Sequence, residues 1–125
     1  MKKQAFIPEN APVAGPYSPA VKAGEFVFFS GQIPMDSASG KIIEGDVAEQ
    51  ADKALQNLDN LLKTAEMTFD NVVKTNIFLT DINDFKTVNE VYSKYFKAPY
   101  PARSAVAVAA LPLGVKVEIE AIAIY

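Results

Sequence analysis

Apolar and polar positions follow two different periods along this chain, and the switches between them mark out strands and helices. Glu25 to Gly31, EFVFFSG, is an aromatic and β-branched run after Gly24 and before Gln32-Ile33-Pro34, which predicts a largely buried strand with Ser30 and Gly31 at its end. The polar stretch DSASGK then reads as a surface loop before the apolar pair Ile42-Ile43. From Asp46 the period lengthens. Val47, Ala51, Ala54, Leu55, Leu58, Leu61, Leu62 and Ala65 recur at helical spacing, with Glu49, Lys53, Gln56, Asp59, Asn60 and Lys63 mostly opposite. Asp46 can cap this helix, Glu49 three residues on completes a capping box, and neither proline nor glycine interrupts the run. The stripe is that of a core helix.

Val72 to Leu79, VVKTNIFL, predicts the next strand, closing at Thr80-Asp81. A second helix follows, capped by Asn83 or Asp84, with Phe85, Val88, Tyr92, Tyr95 and Phe96 as its apolar stripe until Pro99 and Pro101 end it. Two final strands are expected, Ala102 to Ala109 and Lys116 to Ile124, separated by a turn through Pro112, Leu113 and Gly114. In the last, the period-two rule puts Glu118, Glu120, Ile122 and Ile124 on one face and Val117, Ile119, Ala121 and Ala123 on the other. Both faces are partly apolar, which predicts that helices cover one and another subunit covers the other.

Length and composition narrow the picture. At 125 residues and 50% hydrophobic, the chain suits one core and one domain, residues 1–125. Its first residues lack the continuous apolar core of a signal peptide, and Pro112 and Gly114 break its longest apolar stretch, so a soluble, cytoplasmic protein without a membrane segment is expected. With no Cys and no His there is no thiol nucleophile, imidazole base, disulfide or Cys/His zinc site. The formal net charge of −3 offers no basic patch for a nucleic-acid backbone.

Catalysis would therefore rest on carboxylates, hydroxyls, lysines, backbone amides and one unusual cation. Arg103 is the only arginine among eleven lysines, and it heads an apolar strand, PARSAVAVAALP. A planar guanidinium there suits two-pronged anion binding, and it suits a structural ion pair equally well. Glu118 and Glu120 share one strand face about 7 Å apart, but parallel carboxylates do not span a sugar-sized cleft as glycosidases require. Glu118 beside apolar groups can instead activate water with a raised pKa, or pair with a lysine. Tyr17, stiffened between Pro16 and Ser18-Pro19, is either a phenol over a cleft or a packed surface ring. Ser30-Gly31 offers a hydroxyl and an approachable amide, or simply ends a strand, and Asn89 beside the helical stripe reads first as an ordinary polar residue on the helix surface. Paired as a simple hairpin about Leu113, the last two strands would set Arg103 nearer Ala123 than Glu118. A cleft between subunits would then be needed to unite them.

Taken together, GPYSPAV, FFSGQIP, the DFKTVNEVY helix and PARSAVAVAALPLGVKVEIEAIA resemble the RidA (YjgF) family of enamine/imine deaminases, in the family's order and over nearly the whole chain. The resemblance implies an α+β, chorismate-mutase-like fold, a mixed sheet backed by two helices, assembled as a homotrimer with clefts between subunits. It also implies hydrolysis of 2-iminopropanoate and 2-iminobutanoate, released by pyridoxal-phosphate-dependent dehydratases, to 2-oxo acids and ammonia. By motif match Arg103 would hold the substrate carboxylate and Glu118 would position or activate water, with Tyr17, Ser30, Gly31 and Asn89 completing the pocket. No metal or organic cofactor is implied.

Where the family often has cysteine, glutamate and arginine, this chain has Ala105, Ala107 and Ala110. Thiol chemistry is thereby lost, while carboxylate binding and water activation should survive. Two other readings stand beside deamination: a sensor binding 2-oxo acids without catalysis, and an RNA binder or ribonuclease, which the acidic balance and missing histidine support poorly.

Overall fold

The computed structural model describes residues 2–9 and 13–125. In chain order its elements are β1 (Lys3–Phe6), β2 (Ala20–Ala23), β3 (Phe26–Gln32), β4 (Met35–Asp36), β5 (Lys41–Ile42), α1 (Val47–Thr64), β6 (Val72–Leu79), α2 (Phe85–Tyr92), β7 (Ala102–Ala107) and β8 (Val117–Ile124). Six strands form a mixed sheet in the order β1-β2-β3-β8-β6-β7, and β4 pairs with β5 as a separate two-stranded ribbon. Every neighbouring pair in the large sheet is antiparallel except β6 and β7, which run parallel because α2 carries the chain back between them. No helix among the described residues is long and apolar enough to cross a membrane.

The first helix forms as its pattern dictates. Asp46 Oδ1 accepts from the Glu49 amide at 2.9 Å and Glu49 Oε1 accepts from the Asp46 amide at 3.3 Å, so the capping box is complete. Leu55, Leu58 and Leu62 are fully buried, each burial stabilising the fold by roughly 1.5–3 kcal/mol. They pack under Val27, Ile77, Val117 and Ile119, all of which point to the helix-covered face of the sheet. Two buried or half-buried amides fasten the helix to the loops around it. Gln50 Oε1 accepts from the Lys116 amide at 2.8 Å, and Asn57 Nδ2 donates to the carbonyls of Ile33 and Met35, both at 2.9 Å.

The other face of the sheet is open in the protomer. It presents Phe26, Phe28 and Val106, 43%, 45% and 46% exposed, together with Glu118 and Glu120. β8 alternates buried and half-buried residues along its whole length, as its period of two requires.

Three local expectations are corrected. β7 and β8 do not form a hairpin, because β6 lies between them. The link after β7 turns through Pro112 and a left-handed Leu113 (φ 56°), and is held across the end of β6 by Val108 N donating to Leu79 O at 2.7 Å and Thr80 N donating to Lys116 O at 3.2 Å. α2 stops at Tyr92 rather than continuing to Phe96. The next turn tightens, with Lys94 N donating to Val91 O and Tyr95 N to Tyr92 O, so Tyr95 and Phe96 still face the core without being helical. Neither Asn83 nor Asp84 caps α2 through its side chain; Asp81 caps the short 3-10 turn ahead of it, accepting from Asn83 N at 2.9 Å.

Asp46→Ala should lower stability by about 1 kcal/mol in urea unfolding at fixed protein concentration, through loss of the α1 cap. Unchanged stability would contradict that role for the capping box.

Candidate active site

The residues singled out in the sequence gather into two clusters. The first lies where β3 meets β8. Phe29 pairs with Ala121 and Gln32 with Ile119, so β3 carries one extra residue here and bulges at Ser30-Gly31. The bulge sets Gly31 against Glu118. A Cβ at Gly31 would stand 2.6 Å from Glu118 Oε2 and 2.8 Å from its carboxyl carbon, so the missing side chain is what makes room for the carboxylate.

Ser30 fastens a loop to this cluster. Its hydroxyl donates to Ser18 O at 2.7 Å and its amide to Pro19 O at 2.9 Å, which ties the GPYSP segment to the end of β3. The hydroxyl hydrogen is therefore taken, leaving Ser30 Oγ as an acceptor. Tyr17, one residue before Ser18, is 52% exposed, with its amide donating back to Gly15 O at 3.0 Å. Gly15 has a φ of 123°, a conformation that favours glycine and shapes the turn into the tyrosine.

Burial holds Glu118 above the ordinary glutamate range, and the Glu120 carboxylate on the same face pushes in the same direction. Glu120 is itself held by Asn76, whose Nδ2 donates to Oε1 at 2.9 Å. Glu118 thus holds a proton more readily than an ordinary glutamate, which suits a group that must both take and return one.

The second cluster is built on α2 and the edge strand β7. Arg103 Nη1 donates to Asn89 Oδ1 at 2.7 Å. Its guanidinium carbon lies 4.9 Å from the centre of the Tyr92 ring and 5.3 Å from that of Phe85. Tyr92 is buried, and its hydroxyl shares a 2.8 Å hydrogen bond with that of Thr75, the residue paired with Arg103 across the β6–β7 ladder. The side chain is free of any carboxylate partner among the described residues, so the ion-pair alternative for Arg103 is not the arrangement found.

The two clusters do not meet within one protomer. Arg103 reaches the helix-covered face, where α2 lies, whereas Glu118 alternates with the buried Val117 and Ile119 and points to the open face. Arg103 is level with Thr75 and Glu118 with Phe78, two strands away. Strand geometry sets their backbones roughly 10 Å apart along the sheet and roughly 10 Å across it, with the side chains on opposite sides. Two surface hollows, of about 400 Å³ between α1 and α2 and about 350 Å³ beside Tyr125, contain none of the residues of either cluster.

Sequence reasoning placed Phe85 and Tyr92 in the core stripe and missed their contact with Arg103. Their spacing with Asn89, at i, i+4 and i+7 of one helical face, was the available signal. Asn76, which steadies Glu120, was likewise missed, because its partner lies on another strand.

A family model described as Endoribonuclease L-PSP matches residues 8–125. The human 2-iminobutanoate/2-iminopropanoate deaminase is 56% identical over 110 residues, covering 88% of this chain and 80% of the relative. Among solved structures, RidA from an Antarctic Psychrobacter superposes with a TM-score of 0.91 at 42% identity, covering 98% of this chain and 99% of that one. TdcF of E. coli with bound serine gives 0.90 at 43% identity, covering 98% of both.

The raised pKa of Glu118 makes a signed prediction. Over the range between the ordinary glutamate value and the raised one, the unfolded chain binds fewer protons than the folded chain, so this residue's effect is to lower stability as pH rises. Glu118→Gln should therefore unfold at a higher temperature than wild type near pH 7, the difference closing below about pH 4, where both side chains are neutral. Equal or lower stability of the variant near pH 7 would contradict the burial argument.

Proposed function

The chain belongs to the Endoribonuclease L-PSP family, the YjgF/RidA family, and we propose that its two clusters, facing one another across copies of the chain, form one site for a short 2-imino acid. The activity is hydrolytic deamination of reactive imines, 2-iminobutanoate and 2-iminopropanoate, at the C–N bond. The observation that carries the two-copy site is the placement of Arg103 and Glu118 on opposite faces of one sheet.

In this reading Arg103 grips the substrate carboxylate. Asn89 takes one of its five N–H donors, which leaves enough of the fork for two parallel bonds to an anion. The imine carbon is then presented to water beside Glu118. The Glu118 carboxylate accepts a proton as water oxygen bonds to that carbon, and passes it to the imine nitrogen to give the neutral carbinolamine. Glu118 then takes the carbinolamine hydroxyl proton and delivers it to the nitrogen as the C=O bond forms and the C–N bond breaks, releasing ammonia and leaving the 2-oxo acid. A carboxyl held above the usual range suits both halves of this exchange. Gly31 keeps the space Glu118 occupies, Ser30 anchors the Tyr17 loop, and Tyr17 closes the rim with its exposed ring.

The assembly is read as a homotrimer. Phe26, Phe28 and Val106 on the open face supply apolar surface that a second copy would bury, and β7 leaves an unpaired strand edge beside Arg103. The same packing would bring one copy's open face toward the next copy's β7 edge. Binding of RNA is not favoured, since the net charge of −3 opposes a phosphate backbone.

Arg103→Lys keeps the charge and loses the fork. With 2-iminobutanoate generated in situ and ammonia release followed, kcat/KM should fall about 10- to 100-fold, matching the loss of one charge-assisted hydrogen bond of roughly 1.5–3 kcal/mol. An undiminished rate would overturn the carboxylate-gripping role.

A further inference from the structure

Arg103 projects from an exposed edge strand, where a long flexible side chain would ordinarily sample many rotamers. It is instead seated along a single stripe of α2. Asn89 fixes one nitrogen, but a lone hydrogen bond leaves the guanidinium free to rotate about it. The rings of Phe85 and Tyr92, four residues before and three after Asn89, lie within 5.3 Å and 4.9 Å of the guanidinium carbon and restrict the orientation of its plane.

Tyr92 is a rigid member of this arrangement. Its hydroxyl is engaged with the fully buried Thr75, and its other neighbour is Phe96, stacked at 4.3 Å with an interplanar angle of 21°. The phenol is therefore committed to Thr75, and only the ring is available to the guanidinium. Since Thr75 sits level with Arg103 on the adjoining strand, the ring is referenced to the same backbone that carries the arginine.

Resting on the carboxylate-gripping role given to Arg103 above, we propose that Phe85 and Tyr92 are positioning residues: an aromatic bracket that holds the guanidinium plane so that its free N–H edge meets the substrate carboxylate already oriented. Binding then does not have to immobilise the arginine. The rings contribute through affinity for the carboxylate, leaving the water-activating step at Glu118 unaffected.

Because Arg103 is the only arginine, arginine labelled with ¹⁵N gives a single side-chain Nε–H signal from the intact protein. Ring currents from the bracket should displace that signal from its position in a free arginine. Phe85→Leu and Tyr92→Leu should each move it back, and each should raise KM for 2-iminobutanoate and the Kd for 2-oxobutanoate about fivefold with little change in kcat. Tyr92→Phe, which keeps the ring, should restore both the signal and most of the affinity. Phe85, only partly buried, provides the test if Tyr92→Leu does not fold. Unchanged KM and signal in Phe85→Leu, or Tyr92→Phe as impaired as Tyr92→Leu, would overturn the bracket while a slow Arg103→Lys left the arginine's role standing. Arg103→Lys at the wild-type rate would remove that role and the bracket with it.

Discussion

The alternation of β8 at the centre of the sheet is the constraint on which the rest depends. Val117, Ile119, Ala121 and Ala123 are buried beneath the helices, and a strand of period two then has no choice about where Glu118 and Glu120 point. A one-residue slip would drive both carboxylates into the leucines of α1. The register is held at both edges of the strand, by β3 and by β6, and at its start by Gln50 accepting from Lys116 N. Glu118 is thus fixed on the open face by the energetics of the core on the other side. Arg103 is fixed on the covered face by the same ladder, through Thr75. The separation of Arg103 from Glu118 within one protomer follows from the packing of the protomer itself.

The surroundings of Glu118 show how a fold can shape a carboxylate in a chain that has no histidine. The bulge in β3 brings a glycine opposite it, where any Cβ would collide with the carboxyl group. The open space is filled by the carboxylate, whose partial burial and whose neighbour Glu120 favour the protonated form. Asn76 keeps Glu120 in place, so the repulsion comes from a held charge. At the other cluster the logic is reversed. The cation stands exposed at the edge, and its direction is set through Asn89 and two rings.

Much of this was legible in the sequence where the physics is local. The capping box, the stripe of α1, the bounds of β6 and the two faces of β8 all follow from spacings within one element. What was not legible depends on distant parts of the chain. The parallel pairing of β6 with β7 cannot be read from either strand, and the wrong neighbour for β8 came from treating consecutive strands as a hairpin. β1 and β2, four residues each, carry too little apolar pattern to stand out. At the site, residue types pointed to Arg103 and Glu118, but their opposite faces emerge only from the sheet order. Gly31 was read as an approachable amide, while its contact with Glu118 needed the bulge to be known. Phe85 and Tyr92 look like core residues because Tyr92 is buried in the core and Phe85 packs against it, and they meet the guanidinium with the same rings.

The central claim is that a working site takes its arginine from one copy and its glutamate from another. Arg103→Lys and Glu118→Gln chains, each impaired alone, should be co-assembled by joint refolding and tested for ammonia release from 2-iminobutanoate. If the two residues come from different copies, random mixing restores an intact pair at about a quarter of the interfaces, and activity rises well above that of either variant. If they served one site within a single copy, no mixture would contain an intact pair. Activity no greater than the average of the two variants, in a preparation shown to be co-assembled, would contradict the account.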